Sequence, residues 1–192
     1  KQTKIHNTPF GDFSINWPAE NTLGLLTRPS GTTEGYLYKL NLQTGVFSKI
    51  IGGLRGLETL WSPSGEKILI SQTSAGGGEI ISRVISTQGK EIALGPKTLA
   101  SKCAWTATTT ASVIYCGVPL YFPAGVYPDD WYKGKISFDD RLVKINIALP
   151  GAEEALAEQI FDIEKIAVDQ NDQFLYFIDK NDGTLWGLKL EK

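Results

Sequence analysis

Two pairs of adjacent carboxylates, Asp129-Asp130 and Asp139-Asp140, stand close to Tyr121, Tyr127, Trp131 and Tyr132 in one short stretch of the chain. Two carboxyl groups can run glycoside hydrolysis when a cleft holds them at a defined separation, one as acid and one as base or nucleophile. Neighbouring carboxylates on a loop tend to point apart, so the sequence pairs alone do not supply that separation. The aromatic side chains beside them suit a different task, packing flat on a glycan, a peptide or a protein surface. These eight residues form the candidate ligand-binding set, and no residue is assigned a catalytic role. The competing reading is that the stretch folds back over a sheet and shields an apolar edge.

Other chemistry finds little support. His6 is the sole histidine and lies near the N-terminus, which argues against a Ser-His-Asp arrangement. Asp179-Lys180-Asn181-Asp182-Gly183 begins like a calcium loop. Its glycine comes one position early and the distal glutamate is missing, so a tight turn before Thr184 is expected. Gly76-Gly77-Gly78 lacks the lysine and helix of a phosphate loop and reads as a flexible turn. The formal charge is −2 with both signs interspersed, so no basic stripe invites a nucleic acid. Cys103 and Cys116 are the only cysteines, which leaves no metal site of the usual composition and no implied cofactor.

The elements that position these residues follow from an internal repeat. Trp17, Trp61 and Trp105 are spaced 44 residues apart, each within an apolar-alternating run that ends in a turn. A fourth copy has Ile166-Ala167-Val168 in place of the tryptophan. Nine residues beyond each of these points lies another apolar residue: Leu26, Ile70, Ile114 and Phe177. A single hairpin register is therefore expected in all four copies, pairing Trp61 with Ile70, Trp105 with Ile114 and Val168 with Phe177. That register centres the turns on Gly65-Glu66, Thr109-Thr110 and Asp172-Gln173.

A third strand follows in each copy, at Tyr36 to Leu40, Ile80 to Val84, Leu142 to Ile145 and Leu185 to Leu188. Weaker outer strands appear at Val46 to Ile51 and Lys90 to Leu94. Units of this length with four antiparallel strands are the mark of β-propeller blades, and a plain β-sandwich has no need of so regular a repeat. The chain thus reads as all-β, one propeller region over residues 1–192. Its four blades span about 9–51, 52–94, 95–161 and 162–192, with an insertion at 118–138 in the third.

The third register also sets Cys103 opposite Cys116, within disulfide range, which would imply an oxidising, extracytoplasmic setting. Two buried free thiols are the alternative. Residues 3–6 are expected to form an outer strand, either closing the ring onto the last blade or finishing a blade before the first. The second possibility, together with the absence of any methionine, suggests an open stretch of a larger propeller.

The run Leu60-Trp61-Ser62-Pro63-Ser64-Gly65-Glu66-Lys67-Ile68-Leu69-Ile70 resembles the blade repeat of TolB-like propellers. The match is good in the second blade, partial in the first and fourth, and weak in the third, where Trp105-Thr106-Ala107 replaces Trp-Ser-Pro. Lys102 to Trp105, Tyr115 to Pro119, Tyr127 to Gly134, Phe138 to Asp140 and the ending Phe177 to Trp186 look like a set of uncharacterised exported propellers from candidate-phylum bacteria. The resemblance implies a propeller exported and anchored through an upstream segment, with no activity assigned. No span long enough to cross a membrane lies in the chain itself. A non-enzymatic binding platform or scaffold for a protein or glycan surface is the expected function. The alternatives are a carbohydrate-active hydrolase using the loop carboxylates and a propeller that regulates a separate peptidase domain.

Overall fold

A computed structural model describes residues 2–7, 11–107, 112–149 and 151–190. Fifteen strands form four antiparallel sheets, each strand pairing with its neighbour in sequence. The first sheet is β1 (Phe13–Ala19), β2 (Thr22–Thr27), β3 (Glu34–Asn41) and β4 (Phe47–Arg55). The second is β5 (Glu58–Trp61), β6 (Lys67–Thr73), β7 (Ile80–Ser86) and β8 (Glu91–Ala93). The third is β9 (Cys103–Trp105), β10 (Val113–Pro119), β11 (Asp140–Asn146) and β12 (Glu153–Ala155). The fourth has three strands, β13 (Ile163–Val168), β14 (Phe174–Asp179) and β15 (Thr184–Lys189). Together these are four propeller blades.

The strands alternate side chains between two faces, and each blade turns one face toward the blade before it and the other toward the blade after it. Leu26 and Leu37 of the first blade meet Leu57, Trp61, Ile68, Ile70 and Ile85 of the second. Leu69 and Val84 on the opposite face of the second blade meet Cys103, Trp105, Ile114 and Cys116 of the third. Tyr115 and Leu142 then meet Ile163, Leu175 and Phe177 of the fourth. Among the described residues no such core joins the fourth blade to the first, so the blades form an open arc.

The repeated tryptophans explain that arrangement. Two of them reach back to the preceding blade: the Trp61 ring lies against Gly24, and Trp105 Nε1 donates to the Leu60 carbonyl at 3.1 Å. Trp17 has no blade on that side among the described residues. It is 69% exposed and donates instead to the carbonyl of Glu20, three residues along.

The single register expected for the four hairpins holds in the third blade alone, where Trp105 pairs with Ile114 and Cys103 with Cys116. In the second blade Trp61 pairs with Ile68, and the turn centres on Ser64-Gly65. There the buried Ser62 accepts the Gly65 N–H on its carbonyl and the Lys67 N–H on its hydroxyl, while Gly65 supplies a positive φ of 70°. That local closure draws the register in by two residues. In the first blade Ser14, not Trp17, faces Leu26. In the fourth, a register shift between Glu164 and Ala167, with Lys165 at φ 52°, sets Val168 opposite Leu175. The turn expected at Thr109-Thr110 lies outside the described residues.

Residues 3–6 do not form the expected outer strand. His6 stacks on Phe47 of the first blade with ring centroids 4.4 Å apart, and the segment pairs with no strand. Among the described residues no helix is long and apolar enough to cross a membrane.

Candidate functional site

The first strand of every blade lines a central channel. Ser14, Ile15 and Asn16 of β1 face Thr59 and Leu60 of β5, Cys103 of β9 and Ile166 of β13 across a cavity of about 830 Å³. Its lining mixes the aliphatic Ile15, Leu26, Leu60 and Ile166 with the charged Arg28, Glu58, Asp129 and Lys133. A smaller opening of about 310 Å³ at the other end is rimmed by Trp17, Trp61 and Trp105.

One end of the channel is closed by the insertion of the third blade. Between β10 and β11 the chain runs through a short helix, α1 (Asp129–Tyr132), which lies across the ends of the inner strands. Its anchoring reaches all four blades. In the first, the Gly31 N–H donates to Asp129 Oδ2 at 2.7 Å. In the second, the Gly77 carbonyl accepts from the Tyr127 N–H at 2.9 Å, and Glu58 Oε1 accepts from the Tyr132 hydroxyl at 2.6 Å. Gly31 and Gly77 are required by this approach, because a Cβ at either would fall within 3.0 Å of the insertion.

The contact with the third and fourth blades is a buried charge cluster. Lys102 Nζ lies 2.8 Å from Asp140 and 2.7 Å from Asp162, and all three side chains are fully buried. Trp131 Nε1 donates to Asp162 Oδ1 at 2.8 Å, and its ring lies 4.3 Å from the Lys102 ammonium. From the other side Lys180 of the fourth blade donates to the Trp131 carbonyl and sits over the same ring. Tyr127, Trp131 and Phe138 then pack as an apolar layer with Ile80 and Leu99.

Two negative charges thus share one ammonium in a space without water contact. Burial pushes the Asp140 carboxyl up to about 6, against the pull of Lys102 and of the Ile163 N–H that donates to Oδ2. Its Oδ1 has no hydrogen-bond partner among the described residues. Burial likewise raises Glu58, although the Tyr132 hydroxyl and the Ser101 N–H both donate to it. Burial of the Tyr132 hydroxyl, with the Glu58 charge beside it, pushes that phenol well above its ordinary range.

The candidate residues separate accordingly. Tyr127 and Trp131 are each 1% exposed and face inward. Asp129 lies near Lys133, and Asp130 pairs with Lys135 at 3.0 Å and accepts the Val126 N–H. Asp140 belongs to the buried cluster, whereas Asp139 is exposed and accepts a hydrogen bond from Tyr121, which holds that phenol above its ordinary value. Only Tyr132 and Asp129 reach the channel. Lys102, Asp162, Glu58 and Lys180 complete the arrangement and were not singled out as site residues by the sequence. Their one visible signal is position, since Lys102 and Glu58 are charges inside otherwise apolar blade starts. Cys103 and Cys116 form the expected cross-strand disulfide, with Cα atoms 4.1 Å apart.

No protein-family model matches the chain, and no curated protein matches it by sequence. Solved structures do share its fold. A protein assigned as TolB from Agrobacterium tumefaciens superposes with a TM-score of 0.59 at 18% identity, over 96% of this chain and 60% of that one. TolB from Acinetobacter baumannii gives 0.56 at 14% identity, over 92% and 43% of the two chains. A structure from a study of two prolyl endopeptidases gives 0.57 at 10% identity, over 93% and 30%. The chain therefore spans less than two thirds of each of these proteins. Its fold is a four-bladed β-propeller arc of the kind found in TolB and other WD40-like propellers.

Proposed function

We propose that this chain is a non-enzymatic, exported propeller module that acts as a binding platform, with the central channel as its recognition site. The observation that carries the reading is the disposition of the insertion. Asp129, Asp130 and Asp140 are engaged with lysines or backbone N–H groups, and Asp139 with the Tyr121 hydroxyl. Each carboxylate of the insertion is thus held by a lysine, a backbone N–H or a phenol, which supports the platform reading over one in which these pairs run hydrolysis. What stays open is a cavity of mixed aliphatic and charged lining, with α1 at one end and Trp17 at the other. A concave site in which apolar walls carry convergent polar and charged groups is the usual build of a binding site. The buried disulfide supports an oxidising compartment.

The test measures binding and turnover on one sample. The purified chain is screened against a glycan array and a peptide library, beside Ile166→Trp, which fills the channel, and Asp139→Asn, which leaves it open. Binding that is lost only in Ile166→Trp supports the platform. Hydrolysis of any library member that disappears in Asp139→Asn would establish an enzyme instead. Thiol trapping in the native cells checks export, since free Cys103 and Cys116 there would contradict it.

A further inference from the structure

Of the lysines and arginines among the described residues, only Lys102 is buried. One carboxylate would balance its charge, yet Lys102 meets two, Asp140 and Asp162, and neither is exposed. Burying a second negative charge costs stability unless its oxygens are well satisfied. Here they are not, because Asp140 Oδ1 pairs with nothing among the described residues. An ion pair alone accounts for neither the surplus carboxylate nor the bare oxygen.

The same arrangement suits the condensation of a lysine with a carboxylic acid. Lys102 Nζ stands 2.7 Å from Asp162 Oδ1 and 2.8 Å from Asp140 Oδ2. A nucleophile, an electrophile and a proton carrier are therefore in contact before any motion, so the fold has already met the entropic cost of assembling them. The rings of Trp131 and Phe138 lie 4.3 and 4.8 Å from Nζ and keep out the water that would reverse the condensation. Trp131 Nε1 donates to Asp162 Oδ1 at 2.8 Å and to Oδ2 at 3.2 Å, which places a donor where negative charge would develop on that carboxyl. Burial holds the Asp140 carboxyl up to about 6, so it carries a proton more readily than an ordinary aspartate. Lys102 and Asp162 are the charged groups that face it, and Glu58, Glu164, Asp179 and Lys180 surround the cluster.

We infer that Lys102, Asp162 and Asp140 are a self-linking site, in which Lys102 Nζ and the Asp162 carboxyl form an amide with Asp140 as proton carrier. Lys102 gives one proton to Asp162 and attacks its Cγ with the lone pair so freed. Asp140 in its acid form donates to the oxygen that leaves and takes back a second proton from the nitrogen. One C–N bond forms, one C–O bond breaks and one water departs. Asp140 ends as it began, and nothing is oxidised or reduced. Lys102 stands directly before β9 and Asp162 directly before β13, so the amide would tie the third blade to the fourth beneath Trp131. The disulfide, by contrast, lies within the third blade. The structure holds the three side chains before reaction, as an ion cluster.

The test is the intact mass of the wild-type chain after reduction, followed over time at about pH 5 and about pH 8. The acid form of Asp140 prevails only at the lower pH, so linking should run there and stall at the higher one. Chain kept at about pH 8 is then unlinked, and it is the form whose stability reports the Asp140 titration. Linking removes one water, a loss of about 18 Da. Trypsin should then fail to cut after Lys102 and release residues 98–133 joined to 145–165. Asp162→Asn should lose ammonia in place of water, about 17 Da, because the same carbon is attacked. Asp140→Asn should slow linking at least about a hundredfold, and Lys102→Arg should abolish it. The wild type decides the question even where a variant fails to fold. An unchanged mass at both pH values overturns the inference, as does a link from Lys102 to residues 136–141, which hold Asp140. Linking of Asp140→Asn at the wild-type rate would overturn the role given to Asp140.

Discussion

The buried cluster beneath the insertion predicts a specific pH dependence of stability, which Asp140→Asn should remove. Two carboxylates face one ammonium, and all three groups are fully buried. Burial disfavours the charged form of Asp140 more than Lys102 and the Ile163 N–H favour it. The Asp140 carboxyl accordingly rises from an ordinary 3.8 to about 6, with burial as the largest cause. At about 1.4 kcal/mol for each tenfold change in proton affinity, the difference amounts to about 3 kcal/mol. The native protein holds this proton between pH 4 and 6, where the unfolded chain has released it. Stability from this group is therefore complete below about pH 4 and lost as the pH rises through about 6. Urea unfolding of the wild type and Asp140→Asn at half-unit steps from about pH 3.5 to 8 isolates the effect. Glu58 shifts in the same direction and Asp130, Asp169 and Asp182 in the opposite one, but all remain in both proteins and cancel in the difference. The variant should match the wild type near the acid end and exceed it by up to about 3 kcal/mol at the alkaline end. Parallel curves would refute the assignment. A variant less stable than the wild type at high pH would show that the Lys102 attraction outweighs the cost of burying the second charge.

Three further outcomes follow from packing. Gly24→Ala would set a Cβ 2.6 Å from Trp61 Nε1, inside the core between the first two blades, and should lower stability by about 1–3 kcal/mol in urea unfolding; an unchanged midpoint would contradict that contact. The double replacement of Cys103 and Cys116 by alanine removes a link across a sequence separation of 13 and should cost about 3 kcal/mol, a loss that dithiothreitol should reproduce in the wild type. Trp131→Ala should cost about 3–5 kcal/mol and expose the insertion to limited proteolysis between residues 119 and 139, whereas an insertion that stays resistant would show that Trp131 is not its main anchor.

The blades were legible in the sequence because every blade solves the same local problem. A hairpin must present one apolar face backward and one forward, and a tryptophan at a fixed place does part of that work, so the 44-residue spacing survives. Register was less legible, because it is set by turn closure and not by the apolar pattern. Ser62 and Gly65 draw the second hairpin in by two residues, an even step that leaves every side chain on its own face. The pattern alone could not detect it. The third hairpin kept the expected register, and for that reason the cysteine pairing was readable. The insertion was visible as extra chain rich in aromatics, but its destination was not. Gly31, Glu58, Gly77, Lys102, Asp162 and Lys180 come from four blades, and no spacing links them to Trp131. A buried lysine is tolerated there because two carboxylates and an indole surround it, a condition that exists only once the blades have assembled. Trp17 carries the opposite lesson. Its place in the repeat matches that of Trp61 and Trp105, yet it is 69% exposed among the described residues, an outcome the spacing did not reveal.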